Sequence, residues 1–399
     1  MLKPGDIAIV SGARTPMGRY GGKLRDFTAM DLGAIASKCA IQRAGIEPAE
    51  FDHAVFGNAQ QTSGDSLYGA RHVALKAGLP VETPALTVNR LCGSGMQAIV
   101  TGAQLIQLGE ANTVLAGGME SMSQAPHVIR GARWGFGLGE GKLEDSLMVA
   151  LLDTYCGLYM ANTAELYAGQ QGISREMQDQ YALRSQRAAQ QAYEAGRLRE
   201  EIVPVQLVDR KGQPTGESLN EDDHRRPQTT LEGLAKLKPA FGKNGSVTAG
   251  NASGIVDGGA AVVLMSVEEA RRRNARPLGR LVNWGIAGVE PKIMGSGPVP
   301  ASRIALQKAG LRLEDIDLVE VNEAFAAQYL AVEKELGLDR EKTNVNGGAI
   351  ALGHPLGATG ARLIITLLYE LRRRRGKYGL ATACIGGGQG IAVIVEAFN

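Results

Sequence analysis

Short apolar runs alternate with stretches of helical periodicity along most of the chain. Ile99, Ala103, Ile106 and Leu108 recur at helical spacing and predict a helix that starts near Gly95. The run from Val81 to Val88, interrupted by Pro84, predicts a short strand leading into it. Leu363, Thr366, Leu367 and Leu371 predict a second amphipathic helix. Leu318 to Val321, Gly379 to Ala383 and Ile391 to Val395 read as strands, as does Val114 to Ala116 ahead of Gly117-Gly118. Leu32 to Ala44 is helix-like and takes Cys39 into a core position, whereas Cys156 has no motif around it. Short strands alternating with helices predict an α/β fold.

The pattern occurs twice. Ala44-Gly45-Ile46-Glu47-Pro48 through Phe56 is echoed by Ala309-Gly310-Leu311-Arg312-Leu313 through Val321, each reading as helix end, turn and strand. The Gly-rich turn around Cys92 with its helix is echoed by the turn around His354 with its helix. The offset is far too long for a solenoid repeat and indicates two similar α/β halves packed together. Residues from about 123 to 245 do not repeat. They contain a Gly-rich stretch from Gly131 to Gly141, a polar helix around Arg175 to Arg197 and a loop from Asp209 to Pro227. The expected organisation is an N-terminal half from 1–122 plus 246–272, an inserted loop domain at 123–245 that covers the site, and a C-terminal half at 273–399.

Composition narrows the function classes. The chain has 399 residues, 53 of them glycine, and its formal net charge of +2 gives a nucleic-acid partner no global electrostatic support. The basic runs Arg271 to Arg273 and Arg372 to Arg375 fall at predicted helix C-termini, where cations complement the helix dipole. Four widely spaced cysteines form neither a disulfide framework nor a metal-ligand cluster, and they suit a reducing, cytoplasmic setting. No apolar run is long enough to span a membrane. Met1-Leu2-Lys3-Pro4-Gly5-Asp6 leads almost at once into a strand, which leaves no room for a targeting peptide.

The chemistry concentrates on turns. Cys92 lies in Leu91-Cys92-Gly93-Ser94-Gly95, between a strand and a helix N-terminus, where free N–H groups and the helix dipole favour a thiolate. The other reading of such a cysteine is a small hydrophobe packed in the core. His354 lies in Gly353-His354-Pro355, held on a stiff turn by the proline. Cys384 precedes Gly386-Gly387-Gly388, and Asn322-Glu323-Ala324-Phe325 follows a strand. Polar groups at strand ends and Gly-rich turns are what an open α/β active site requires, here at the junction of the halves.

With these motifs in place the chain resembles the thiolase family. The resemblance runs from Ser11-Gly12-Ala13-Arg14-Thr15-Pro16 through Asn251-Ala252-Ser253-Gly254, Pro291-Lys292-Ile293-Met294-Gly295 and Asn322-Glu323-Ala324-Phe325 to Cys384-Ile385-Gly386-Gly387-Gly388. It implies duplicated α/β halves in α-β-α-β-α layers and ping-pong acyl transfer between coenzyme A thioesters. Either two acetyl-CoA condense to acetoacetyl-CoA, or 3-ketoacyl-CoA is cleaved with coenzyme A, as in fatty acid metabolism. No cofactor is expected to be permanently bound, since coenzyme A and acyl-CoA are substrates, and no metal is expected. The family also implies homodimers, often paired into homotetramers through the inserted domain.

In that family pattern Cys92 carries the acyl group, His354 takes its proton and Cys384 moves the proton at C2. Asn322 holds a water that joins His354 in one oxyanion hole, and the N–H groups of Cys92 and Gly386 form a second. Ser253 matches the position that touches the pantetheine, and Arg226 the basic position near the nucleotide phosphates. Phe241, Met160 and Met294 match the lining of the cofactor tunnel or acyl pocket. The chain departs from short-chain biosynthetic members, which carry His-Met where it has Tyr159-Met160; that widens the expected range of 3-ketoacyl-CoA. Two other readings are a decarboxylating ketoacyl synthase, which uses a second His where this chain has Cys384, and a non-catalytic lipid carrier, which need not keep Cys92, His354 and Cys384 together.

Overall fold

Among the described residues, nine strands run through one mixed sheet whose middle is also its seam. The computed structural model describes residues 5–209, 212–242 and 244–398; the expectation placed on Met1 to Pro4 lies outside these. The strands are β1 (Ile7–Arg14), β2 (His53–Gly57), β3 (Ala85–Val88), β4 (Thr113–Ser121), β5 (Val256–Ser266), β6 (Gly279–Gly288), β7 (Leu318–Val321), β8 (Tyr378–Ile385) and β9 (Gln389–Ala397). Their order is β7-β8-β9-β6-β1-β5-β4-β2-β3, and the two-residue strand Gly18–Arg19 pairs with β5 as a tenth. β1 and β6 join the halves through three antiparallel pairs, Ile7 with Leu281, Ala8 with Arg280 and Ile9 with Gly279.

Helices complete five layers. α1 (Ala29–Ala44) and α2 (Ala70–Ala77) cover the outer face of the first half. α3 (Ser94–Gln107) and α8 (Leu356–Arg374) pack on each other between the two halves of the sheet. α4 (Met160–Gln170), α5 (Arg175–Glu194), α6 (Pro298–Ala309) and α7 (Ala326–Leu336) gather on the second half's outer side. The central position explains the composition of α8. Every residue from Leu356 to Leu368 is buried, and the helix becomes exposed only at Arg372. A helix enclosed by two sheet faces needs an apolar surface all round.

The duplication is visible in detail. α1 ends on Gly45 and α6 on Gly310, both in the left-handed conformation. Each is followed by a short 3₁₀ turn and then by an aspartate that fastens a neighbouring strand. Asp52 Oδ2 accepts from the N–H groups of Asn112 and Thr113, and Asp317 Oδ2 from those of Lys377 and Tyr378, all at 2.7–2.9 Å.

Several expectations need correction. The strand before Cys92 begins only at Ala85, because Pro84 has no N–H to donate. Leu108 is 73% exposed; it is the C-cap of α3 and lies beyond its apolar face. Gly117 and Gly118 lie inside β4 and not after it. The loop expected from Asp209 to Pro227 is partly strand, since Val205–Val208 pairs with Pro214–Leu219.

Among the described residues, 123–245 add no strand to the main sheet. Arg14, fully buried at the end of β1, anchors the segment. Its guanidinium reaches Glu201 at 2.7 Å and both Asp222 oxygens at 2.7 and 2.9 Å.

Two glycines set the distance between the central helices. A Cβ at Gly95 would lie 2.7 Å from Ala361 N, and one at Gly360 would lie 2.3 Å from Met96 N. Both are closer than real Cβ contacts allow, so α3 and α8 touch backbone to backbone near their N-termini.

Candidate active site

Cys92 sits in the 3₁₀ turn Leu91–Gly93, just before Ser94 opens α3. Leu91 has φ +46°, a left-handed conformation uncommon for a leucine and of the kind that clusters at functional turns. Ser94 closes the turn: its hydroxyl donates to Leu91 O at 2.7 Å and accepts from Arg90 N–H at 2.9 Å. The Arg90 guanidinium donates to Gln389 Oε1 at 2.7 Å, which ties the turn to the β8–β9 hairpin.

That hairpin carries Cys384 near the end of β8, opposite Gly390. Gly387 and Gly388 have φ +81° and +83°, which makes the tight reversal possible. The Gly386 N–H and the N–H of Cys92 itself lie where they favour a charged Cys92 sulfur. Cys384 is fully buried beside Met294 and Ala324, and the two thiols are close enough that Cys92 raises the pKa of Cys384.

His354 enters from the other half, on the turn before α8. Its Nδ1 lies 2.6 Å from Thr359 Oγ1. The Thr359 hydroxyl donates to Pro355 O at 3.0 Å, so it accepts from the imidazole, and the proton is on Nδ1. Nε2 is then the basic nitrogen. Asn322 Nδ2 donates to it at 3.3 Å, a long hydrogen bond. Asn322 stands at the end of β7, its N–H bonded to Thr382 O at 2.9 Å, and its Oδ1 has no partner among the described residues.

Electrostatics overturn one expectation. A thiolate was expected at Cys92, yet burial pushes its thiol up to about 11, against the pull of the two N–H groups. Burial drives Cys384 well above the ordinary thiol range, with Cys92 adding to the shift. Burial, then the Arg362 charge, lowers His354 to about 3. Near neutral pH the three groups are therefore a thiol, a thiol and a neutral imidazole. The helix N-terminus is present as expected, but loss of water outweighs it.

A cleft of about 510 Å³ leads to this point. His354, Ser253, Phe241, Met160 and Arg226 line it, together with His224. Cys92 stands beside the wall, packed with Met122, Leu147 and Leu356. Met294 does not line the cleft; it is buried behind Met160 and Phe325, against Cys384. Arg226 is exposed at the wall and its guanidinium has no partner among the described residues. Arg225, by contrast, bonds to Asp222, Gln190 and Glu221 and stacks over Tyr193 at 3.5 Å.

Three residues near the site were given no role in the sequence reading. Thr359 sets the His354 tautomer. Glu323, buried, accepts from Tyr181, Ser185, Asn344 and the Ile350 N–H. Glu120, also buried, is pushed up to about 7 by burial. A carboxylate inside an apolar strand was the available signal for Glu120.

Comparison with known proteins shows what the chain is similar to. Residues 7–268 match the family model "Thiolase, N-terminal domain" and residues 275–397 match "Thiolase, C-terminal domain". The chain is 55% identical over 392 residues to the human mitochondrial 3-ketoacyl-CoA thiolase, covering 98% of each. It is 49% identical to an acetyl-CoA acetyltransferase of Cupriavidus necator, covering 98% of this chain and 99% of that one. A crystal structure of the human mitochondrial 3-ketoacyl-CoA thiolase in complex with CoA superimposes with a TM-score of 0.96 at 54% identity, over 98% of both chains.

Proposed function

The chain belongs to the thiolase family of acyltransferases, and from that premise we propose that it passes an acyl group from one coenzyme A thioester to another through Cys92. The observation that carries the residue assignment is the convergence of two neighbouring thiols and an imidazole, from both halves, beside one cleft that His354 lines.

In thiolysis the Cys92 proton passes to His354 Nε2 and the sulfur attacks the 3-keto carbon of the substrate. The N–H groups of Cys92 and Gly386, which already favour charge at the sulfur, grip the carbonyl oxygen as it becomes negative; such a donor is worth on the order of 3 kcal/mol. The C2–C3 bond then breaks, and the departing acetyl-CoA enolate takes a proton at C2 from Cys384. His354 and a water held by the free Asn322 Oδ1 stabilise that enolate oxygen. Coenzyme A next gives its thiol proton to the Cys384 thiolate and attacks the acyl-Cys92 carbonyl, and Cys92 leaves, taking its proton back from His354. Condensation is the same sequence reversed, and concentrations set the direction.

Ser253 and Arg226 take the pantetheine and the nucleotide phosphates, and Phe241 and Met160 line the path between them. The Tyr159 ring packs on Phe241 with centroids 5.2 Å apart, which supports a part for Tyr159 in choosing acyl length. Exposed apolar side chains support a homodimer or homotetramer. Leu67, Tyr68, Val81 and Leu86 lie near the sheet edge at β3, and Trp134, Leu138, Leu143 and Tyr155 on the inserted segment. No helix among the described residues is long and apolar enough to cross a membrane, and the four cysteines stay unpaired. Both features are compatible with a cytoplasmic enzyme.

The test separates the two thiols. Brief exposure to labelled acetyl-CoA should place one acetyl group on Cys92, and Cys92→Ala should abolish thiolysis and condensation. Cys384→Ala should still accept the acetyl group but lose about 10²–10⁴ in the carbon–carbon step and in C2 proton exchange with deuterated solvent. Label on Cys384, or proton exchange at the wild-type rate in the variant, overturns the assignment. A series of 3-ketoacyl-CoA chain lengths then fixes the preferred substrate.

A further inference from the structure

Glu120 is the one charged residue of β4, a strand buried along its whole length. Its carboxylate accepts four N–H donors from different parts of the chain. Oε1 accepts from Asn58 Nδ2 at 2.8 Å and Gln60 N at 3.1 Å; Oε2 accepts from Ala59 N at 3.1 Å and Gly357 N at 2.8 Å.

Gly357 lies three residues after His354, in the first turn of α8. Ala59 leads to the other turn. Its carbonyl accepts from Asn89 Nδ2 at 3.1 Å, and Asn89 Oδ1 accepts from Leu91 N–H at 2.9 Å, the strained residue next to Cys92. Asn58 N–H donates to Val88 O at 3.1 Å, a second link to the same turn. Hydrogen bonds thus run from the nucleophile's turn in one half, through Glu120, to the histidine's turn in the other.

We propose that Glu120 is a positioning residue that holds the Cys92 turn at the distance from His354 needed for proton transfer. This rests on Cys92 as nucleophile and His354 as its base. The chemistry of the junction makes the residue hard to replace. All four partners are donors, and only the ionised carboxylate, the form that prevails above about pH 7 here, offers acceptors alone. A carboxamide turns one N–H₂ against N–H groups that cannot move away without moving a catalytic turn. Displacement of reacting groups by about 1 Å can cost on the order of 10² in rate.

The experiment is a double-mutant cycle on the rate of acetyl transfer from acetyl-CoA to Cys92, read in a single turnover by mass spectrometry of the Cys92 peptide. The enzymes are wild type, Glu120→Gln, His354→Ala and the double variant. Positioning predicts a slowing of about 10- to 100-fold by Glu120→Gln in the wild-type background and less than about threefold in the His354→Ala background, with acetyl-CoA binding changed by less than about threefold. Equal slowing in both backgrounds, or none, overturns the proposal. Should Glu120→Gln not fold, Asn89→Ala replaces it in the same cycle, since Asn89 is exposed and breaks the chain on the Cys92 side. A wild type not acetylated at Cys92 refutes the nucleophile assignment, and this proposal with it; a fast wild type with an equally fast Glu120→Gln refutes only the positioning role.

Discussion

Thr359 accepts the Nδ1 proton of His354 at 2.6 Å, and that bond leaves Nε2 as the basic nitrogen. Thr359→Val removes the acceptor and lets the ring change tautomer or turn. The expected result is a fall of about 10- to 100-fold in kcat with KM for acyl-CoA within about threefold, a part of the usual acid–base contribution. Thr359→Ser keeps the acceptor and should recover most of the rate. Steady-state kinetics of the two variants checks this.

The shifted pKa values set a pH signature. With the Cys92 thiol at about 11, its alkylation by iodoacetamide in the free enzyme should keep rising through pH 10. An ordinary thiol would level off above roughly 8.5. Stability follows the same groups. As pH rises from roughly 8.5 toward about 11 the unfolded chain gives up the Cys92 proton first, which favours unfolding. As pH falls from roughly 6.5 toward about 3 the unfolded chain protonates the histidine first, with the same consequence. The contribution of these two groups to the urea midpoint should therefore be largest between the windows, and His354→Asn should remove its acid-side part relative to wild type.

Tyr159 packs on Phe241, a residue of the cleft wall. Tyr159→His should raise the rate with acetoacetyl-CoA relative to longer 3-ketoacyl-CoA by several-fold, on the order of the 1–3 kcal/mol that small pocket changes supply. Competition between two chain lengths measures the ratio directly. An unchanged ratio removes Tyr159 from specificity.

Arg226 and Arg225 are adjacent yet differ in availability. Arg226→Ala should raise KM for coenzyme A about three- to tenfold and make it less sensitive to salt, with kcat preserved. The effect should shrink with a coenzyme A analogue lacking the 3′-phosphate. Arg225→Ala, whose guanidinium stacks on Tyr193, should instead lower the melting temperature.

Arg14 neutralises Glu201 and Asp222 inside the protein. The Arg14 cation holds the Asp222 carboxyl below its usual range although burial acts the other way. Arg14→Met leaves two buried carboxylates without a cation and should cost about 3–5 kcal/mol in urea unfolding. Adding Glu201→Gln and Asp222→Asn should return part of that loss.

What could be read from the residues was whatever depends on local pattern. Gly45 and Gly310 end equivalent helices, and the strands around Leu318 and Ile391 stand where alternation placed them. The turns of Cys92, His354, Cys384 and Asn322 were visible because glycine, proline and strand ends mark them. The β1–β6 seam was not, since three residue pairs leave no periodic signature. Protonation states were also out of reach. A helix N-terminus argues for a thiolate, but the burial that defeats it comes from Met122, Leu147 and Leu356, which are far apart in the chain. The inserted hairpin was missed because Pro214–Leu219 is mostly exposed and polar, so its strand carries no apolar alternation. Glu120 was missed because its partners lie on two stretches remote from it, Asn58 to Gln60 and Gly357.

The contact between Gly95 and Gly360 makes the spacing of nucleophile and base depend on atoms that are missing. A single methyl group at either position is a wedge between α3 and α8, placed a few residues from Cys92 on one side and His354 on the other. The tolerance of the catalytic geometry is thus narrower than the smallest side chain. A screen that looks only for reactive groups would pass over both positions, although an alanine at either could silence the protein with every catalytic residue still in place.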